Sequence, residues 1–349
     1  MTDTSSKKLT PSAIGVAAFI IIIAGLKQAE SFVNPLLMAF FISIILAQPV
    51  IWLKKKNVPV GIAIPIVIVG FLAFYTGLDL LVSSSLSLFV KDVQKYQDNI
   101  QELTDSAGSF FTNKGINITF LSGSGSLEPA KIMDYTRQVV GVIRELLSRE
   151  VTFIFLTIFL MVELEVVGLK ARVLAKGSES TLTFMNTIGK NIRHYLSIKT
   201  MTSLGTGILV GVSLALIGVD YPILWGLLAF LFNYIPTIGS IIAAIPGITF
   251  SILQLGFPAT IWTIAVYVVA NVVIGSVLEP KIMGKGLGLS TFVVFFSLIF
   301  WGFVLGPVGM FLSVPITMSI KIILENNPRT NWIAVMLGSK SDALAILEE

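Results

Sequence analysis

The sequence predicts an all-α polytopic membrane protein with about eight membrane segments. Two of these are broken, re-entrant helical hairpins of inverted orientation, and a small amphipathic helical insert accompanies them. Three observations carry the prediction. Of the 349 residues, 54% are hydrophobic and 13% are charged, with a mean hydropathy of +0.88; a soluble domain carries about 25% charged residues. Long apolar runs recur along the chain. Two of them, 224–255 and 292–323, are interrupted near their middle by proline, glycine and polar residues. In hydrocarbon an unpaired backbone amide costs several kcal/mol, so such a break survives only inside protein or beside a wet cavity.

Composition also excludes much. There is no Cys, so disulfides, zinc–thiolate sites and cysteine nucleophiles are out. One His, His194, cannot make a multi-histidine metal site. The net charge of +4 is small and calls for no nucleic-acid partner. No P-loop, no His-Glu-x-x-His and no Ser with a His at membrane depth is present, so neither ATP hydrolysis nor intramembrane proteolysis has visible machinery. The reading is of a protein that is not an enzyme, with no catalytic residue, no metal and no cofactor.

Residues 1–84 read as a three-span scaffold. Lys7 and Lys8 precede the apolar run 13–26 in signal-peptide order, yet no small-x-small cleavage site follows and a second span comes at once. The first span, 12–26, is short for a bilayer that needs roughly 20 apolar residues, and is expected to continue as helix through Glu30. The second span, 33–53, ends at Lys54, Lys55 and Lys56, which mark the cytoplasmic side together with the N-terminus. The third, 60–81, exits with Asp79 near its outer end. Residues 85–150 then change character. Leu86, Phe89, Val90 and Val93 fall at helical spacing among charged residues, and Ser122 to Ser126 is a Gly/Ser linker. Seven basic against eight acidic residues between 91 and 150 fit an external location. Residues 151–200 hold a fourth span and a basic cytoplasmic stretch, with Thr183, Met185, Ile188, Ile192 and Tyr195 as the apolar face of an interfacial helix. Glu163 and Glu165 lie near the inner end of that span on opposite sides of its helix.

Residues 201–325 carry both breaks, and 326–349 form a cytoplasmic tail. Gly205, Gly207 and Gly211 give the fifth span a small-residue face for close packing. The run after Pro222 is broken at 233–240 and reads as a hairpin entered from outside. A full span with Asn271 in its interior follows, ending at Glu279, Pro280 and Lys281. The run after Leu289 is broken at 306–309 and reads as a hairpin entered from inside. Two broken segments in corresponding halves of a membrane domain are the best sequence pointer to a transporter's binding site.

The candidate site residues follow from chemistry. Asn233, Pro236 and Gly239 at one break, and Gly306, Pro307 and Gly309 with Ser313 and Pro315 at the other, offer freed carbonyls, close backbone approach and half-helix dipoles. The plainer reading is that Pro and Gly are packing kinks. Asn271 needs a partner, either a neighbouring helix or a polar solute. Glu279 is either salt-bridged to Lys281 or an ion-coupling carboxylate. Trp225, Trp262, Trp301 and Trp332 fit interface anchoring better than ligand stacking.

The C-terminal half resembles the autoinducer-2 exporter family. The residues that carry the resemblance are the run from Leu224-Trp225-Gly226 into Asn233-Tyr234-Ile235-Pro236 and Gly239-Ser240, the run Leu278-Glu279-Pro280-Lys281, and Phe300-Trp301-Gly302 into Gly306-Pro307-Val308-Gly309. It is specific over about residues 195–325. It implies a bacterial inner-membrane, multi-pass transporter with a lipid bilayer around it. It further implies a homo-oligomer, a pentamer being one arrangement, that exports a small polar, autoinducer-2-like solute in quorum sensing. Tyr234 and Ser240 join the site as matched motif residues, and Thr237 joins it as a polar hydroxyl of the broken stretch 233–240. Some relatives are credited with sodium–proton exchange, so a monovalent cation–proton antiporter is the first rival and a non-transporting scaffold the second. Alternating access at the hairpin tips is the expected mechanism.

Overall fold

Apolar runs that lack water must satisfy their amides internally, and they do so here as helices. The computed structural model describes residues 6–113, 138, 141, 150–174, 179–283 and 288–339. Among the described residues there is helix and no strand. In chain order the helices are α1 (Ser6–Gln28), α2 (Glu30–Lys55), α3 (Val60–Asn113), α4 (Glu150–Leu174), α5 (Glu179–Ile217), α6 (Pro222–Phe232), α7 (Ile238–Leu255), α8 (Phe257–Ala270), α9 (Glu279–Met283), α10 (Thr291–Glu325) and α11 (Asn331–Leu337). A π-helical segment, Asn271–Leu278, joins α8 to α9.

Among the described residues six helical stretches are long and apolar enough to cross a membrane, and three shorter apolar helices accompany them. Helix continues where the sequence pattern places separate segments. The third span and the amphipathic stretch after it are one helix, α3, of 54 residues; neither glycine nor proline interrupts it between Gly77 and Gly108. The expected interfacial helix and the fifth span are likewise one helix, α5, of 39 residues. The Gly/Ser linker at 122–126 lies outside the described residues. The tail contributes α11, whose Leu337 carbonyl accepts from Ser290 N at 3.0 Å.

The chain divides into two compact units. The first comprises Met1–Ala47, Glu150–Arg193 and Leu287–Glu349. Its main feature is α10, which folds back on itself. Trp301 Nε1 donates to Thr317 Oγ1 at 3.0 Å. In a straight helix the 16 intervening steps would separate these residues by about 24 Å. The reversal falls at Gly306, with φ 60° and ψ −148°, a conformation essentially confined to glycine. Trp301, Val304 and Leu305 of the first arm pack against Ile23, Leu26, Val33 and Leu37 of α1 and α2. Those two helices are joined by Ala29 alone, whose N bonds to Gly25 O and whose O accepts from Val33 N. Helix α4 is tied to α2 through Ser43 Oγ, which donates to Thr157 O at 3.1 Å.

The second unit comprises Gln48–Arg149 and His194–Gly286. Here α6 and α7 form the other hairpin. Trp225 and Phe250 meet across it with ring centroids 5.5 Å apart. Its open end is closed by Gln254, which accepts from Asp220 N at 2.8 Å and donates to Gly218 O at 3.1 Å. Helix α6 has 11 residues and is about 16 Å long, too short to cross a hydrocarbon core of about 30 Å. Trp225 and Trp301 are therefore core residues of the two hairpins, while Trp262 and Trp332 are exposed, as interface anchors would be.

Candidate functional site

One face of α5 is polar and buried. Tyr195, Lys199, Thr202, Ser203 and Thr206 recur at helical spacing, and all five are buried. Below them the face turns apolar at Val210 and Leu214. Here α6 crosses α5 at backbone contact: a Cβ on Gly207 would stand 2.8 Å from Gly226 O, and one on Gly226 would stand 2.7 Å from Gly207 O. That crossing aims the C-terminal end of α6 at the polar part of α5.

The turn of the first hairpin completes the arrangement. Asn233 Nδ2 donates to Ser203 Oγ at 2.9 Å, and Tyr234 Oη donates to Thr200 Oγ1 at 2.8 Å. Ile238 N donates to Pro236 O at 2.6 Å, closing a three-residue γ-turn around Thr237. Thr237 has φ 62° and ψ −53°, a strained conformation for a β-branched residue. A Cβ on Gly239 would meet Phe232 O at 1.8 Å, so only glycine lets α7 start against the end of α6. At the other hairpin a Cβ on Gly309 would meet Trp301 O at 2.0 Å. The two turns use the same device: a glycine after the break rests on a carbonyl of the preceding half-helix.

The π-helical segment delivers the charged member. π-Helical turns are rare and concentrate at functional sites. Directly after this one, Glu279 accepts from Lys199 Nζ at 2.7 and 2.9 Å, one bond to each carboxylate oxygen. Thr202 Oγ1 adds a third contact, to Oε2 at 3.3 Å. The Lys199 side chain is 6% exposed and that of Glu279 15%. The partner of Glu279 is thus Lys199 on α5, and not Lys281. Burying both charges is costly, and the pair persists because each neutralises the other and Thr202 contributes a further hydrogen bond.

The candidate residues divide between the two units. Asn233, Tyr234 and Glu279 converge on α5, with Pro236 and Gly239 shaping the turn. Thr237 is exposed, and Ser240 Oγ bonds back to Thr237 O at 3.3 Å. Asn271 is exposed beside Gly275 at the start of the π-helical segment, and not buried within its span. In the other unit Gly306 makes the reversal, Pro307 follows it exposed, and Gly309 is buried against Trp301. Ser313 is buried and bonded to Met310 O, and Pro315 is buried with its carbonyl accepting from Ser319. Both are internal to the second arm. Glu163 pairs with Lys170 at an exposed position. Sequence reasoning missed Lys199, Thr202 and Ser203. Their signal was present in the i, i+3, i+4 spacing that puts them on one face.

Several helices long enough to span, two hairpins folded within apolar runs and a buried polar site beside one turn define a multi-pass membrane protein of transporter type. The AI-2E family transporter model matches residues 16–329, and the chain belongs to that family. A Haemophilus influenzae protein named "Putative transport protein" is 36% identical over 338 residues, covering 94% of this chain and 96% of the relative. The "AI-2 transport protein TqsA" of Escherichia coli (strain K12) is 33% identical, covering 93% and 94%. "Putative transport protein YhhT" of the same strain is 31% identical, covering 93% of each.

Proposed function

We propose that this chain is a secondary transporter of the bacterial inner membrane that exports a small polar signalling molecule, autoinducer-2 or a solute of the same chemistry. One observation carries the reading: Asn233 and Tyr234, at a hairpin turn, are bonded to the hydroxyl face of α5 beside the Lys199–Glu279 pair. A neutral polyhydroxylated solute is held by hydrogen bonds. This site offers an amide, a phenol and several hydroxyls, and its two charges cancel. Solute hydroxyls take over the bonds that Asn233 and Tyr234 make to Ser203 and Thr200. The turn then comes off α5, and access alternates at the hairpin tip. The name of the TqsA relative, at 33% identity over nearly the whole chain, supports the substrate class.

The short α6 supports a hairpin that enters and leaves the bilayer on one side. The basic residues at 54–56 and 7–8 support cytoplasmic termini, and the working form is taken to be a homo-oligomer. Flux in vesicles containing this protein alone tests the reading: autoinducer-2 should move and sodium should not. Autoinducer-2 movement no faster than in protein-free vesicles overturns it.

A second reading, monovalent cation–proton antiport, is favoured by the buried Glu279 carboxylate inside a span. Glu279→Gln separates the two. Loss of ion exchange with solute export retained supports the antiporter.

A further inference from the structure

The reversal of α10 leaves oxygen atoms with unusual partners. A half-helix that stops at Gly306 frees the carbonyls of its last turn. One of them, Leu305 O, accepts from Asn34 Nδ2 of α2 at 3.1 Å. The same nitrogen also donates to Glu30 Oε1 at 3.3 Å. Glu30 lies hard against the turn, since a Cβ on Gly306 would be 2.7 Å from that carboxylate oxygen. A single amide NH2 therefore bridges a carboxylate and a freed carbonyl.

The other end of the same amide is left over. Asn34 Oδ1 is buried and accepts no hydrogen bond from the described residues. An unpaired buried acceptor loses its hydration without compensation. Glu30 has no salt bridge among the described residues. Lys27, the nearest cation in sequence, holds its ammonium 3.5 Å above the Phe303 ring. The facing stretch of α10, residues 291–320, has no ionisable side chain. Among the described residues the Glu30 carboxylate thus has no cation within salt-bridge distance, and Lys27, one turn before it, is turned to Phe303.

We propose that Glu30, Asn34 and the Leu305 carbonyl form a binding site for a monovalent alkali cation at the Gly306 turn. A half-turn of the Asn34 amide exchanges its nitrogen and oxygen, which have nearly the same size. Oδ1 then replaces Nδ2 and points at Glu30 Oε1 and Leu305 O. Three oxygens converge where a donor nitrogen stood, the cation becomes the partner of Oδ1, and Nδ2 gives up its two acceptors for the buried position that Oδ1 held. One carboxylate with two neutral oxygens carries a single negative charge, which one alkali cation neutralises and a divalent cation would overshoot. Hard oxygen ligands suit such an ion, and a half-helix C-terminal end favours positive charge. The site lies in the unit that does not hold Lys199 and Glu279, and its occupancy is independent of which solute the chain exports.

The test uses the full chain purified in detergent. Its unfolding temperature is followed in rising NaCl, LiCl or KCl, with choline chloride holding ionic strength constant. At least one alkali cation should raise the midpoint saturably above choline. Glu30→Gln should unfold as wild type does in choline and require at least tenfold more cation for half the shift. Asn34→Asp places a second carboxylate in the site, so its half-saturating concentration should fall several-fold. This second variant decides the matter should Glu30→Gln not fold. Equal midpoints in alkali and choline salts overturn the proposal, as does an undiminished shift in Glu30→Gln. An unchanged or weakened response in Asn34→Asp also counts against it.

Discussion

Lys199 and Glu279 lie 80 residues apart in sequence and meet in a two-pronged ion pair, the ammonium 2.7 and 2.9 Å from the two carboxylate oxygens. The pair fixes α5 to the end of the π-helical segment. It also sets a charged group that is neutral overall beside the turn formed by Asn233 and Tyr234. Removing one partner leaves a buried charge alone, whereas removing both does not.

Lys199→Met or Glu279→Gln alone should destabilise the protein by roughly 3–5 kcal/mol. The double variant should recover most of that loss. Denaturant unfolding in detergent, arranged as a double-mutant cycle, measures the coupling.

The glycines at the turns should separate sharply from glycines elsewhere. Gly239→Ala places a methyl 1.8 Å from Phe232 O, and Gly309→Ala places one 2.0 Å from Trp301 O. Each should abolish membrane-integrated expression or lower the unfolding temperature by many degrees. At Gly205 the nearest atom is Ile274 Cδ1 at 3.7 Å. Gly205→Ala should therefore be neutral or stabilising by up to about 1 kcal/mol. Melting curves of the three variants make the comparison.

Much of this was legible in the sequence, because a Pro and a Gly inside an apolar run have few other uses. The breaks at 233–240 and 306–309 fall where the chain reverses, and Gly207 and Gly211 face a close helix crossing as their spacing implied. The partner of Glu279 was not legible. Local sequence offered Lys281 two residues away, and only the packing of α5 beside the π-helical segment brings Lys199 within reach. Asn271 misled for a related reason. An amide in an apolar run implies burial, but its helix turns that residue outward. The seams between span and amphipathic helix at 84–86 and 195–202 were invisible, because polarity changes there while nothing stops the helix.

The reversal of α10 can be trapped chemically, since the natural chain has no Cys. Trp301→Cys with Thr317→Cys should be joined efficiently by a short thiol cross-linker within one chain. A straight helix would hold those positions about 24 Å apart and give no intramolecular product. Mass spectrometry of the digested protein distinguishes the two.

Asn233 bonds a single hydroxyl and is buried, so Asn233→Leu removes the site's amide at nearly constant volume. Ser203 is left without that partner, and the stability loss should be about 1–3 kcal/mol. Tyr234→Phe removes one hydroxyl at the edge of the same site and should cost about 1 kcal/mol. Thermal unfolding of both variants checks that neither change destroys the fold.

The most direct measurement compares autoinducer-2 flux in proteoliposomes holding equal amounts of wild type and Asn233→Leu. The account predicts saturable flux with wild type and at least tenfold less with the variant, at similar folded content. Equal flux in both would contradict the assignment of transport to the hairpin turn.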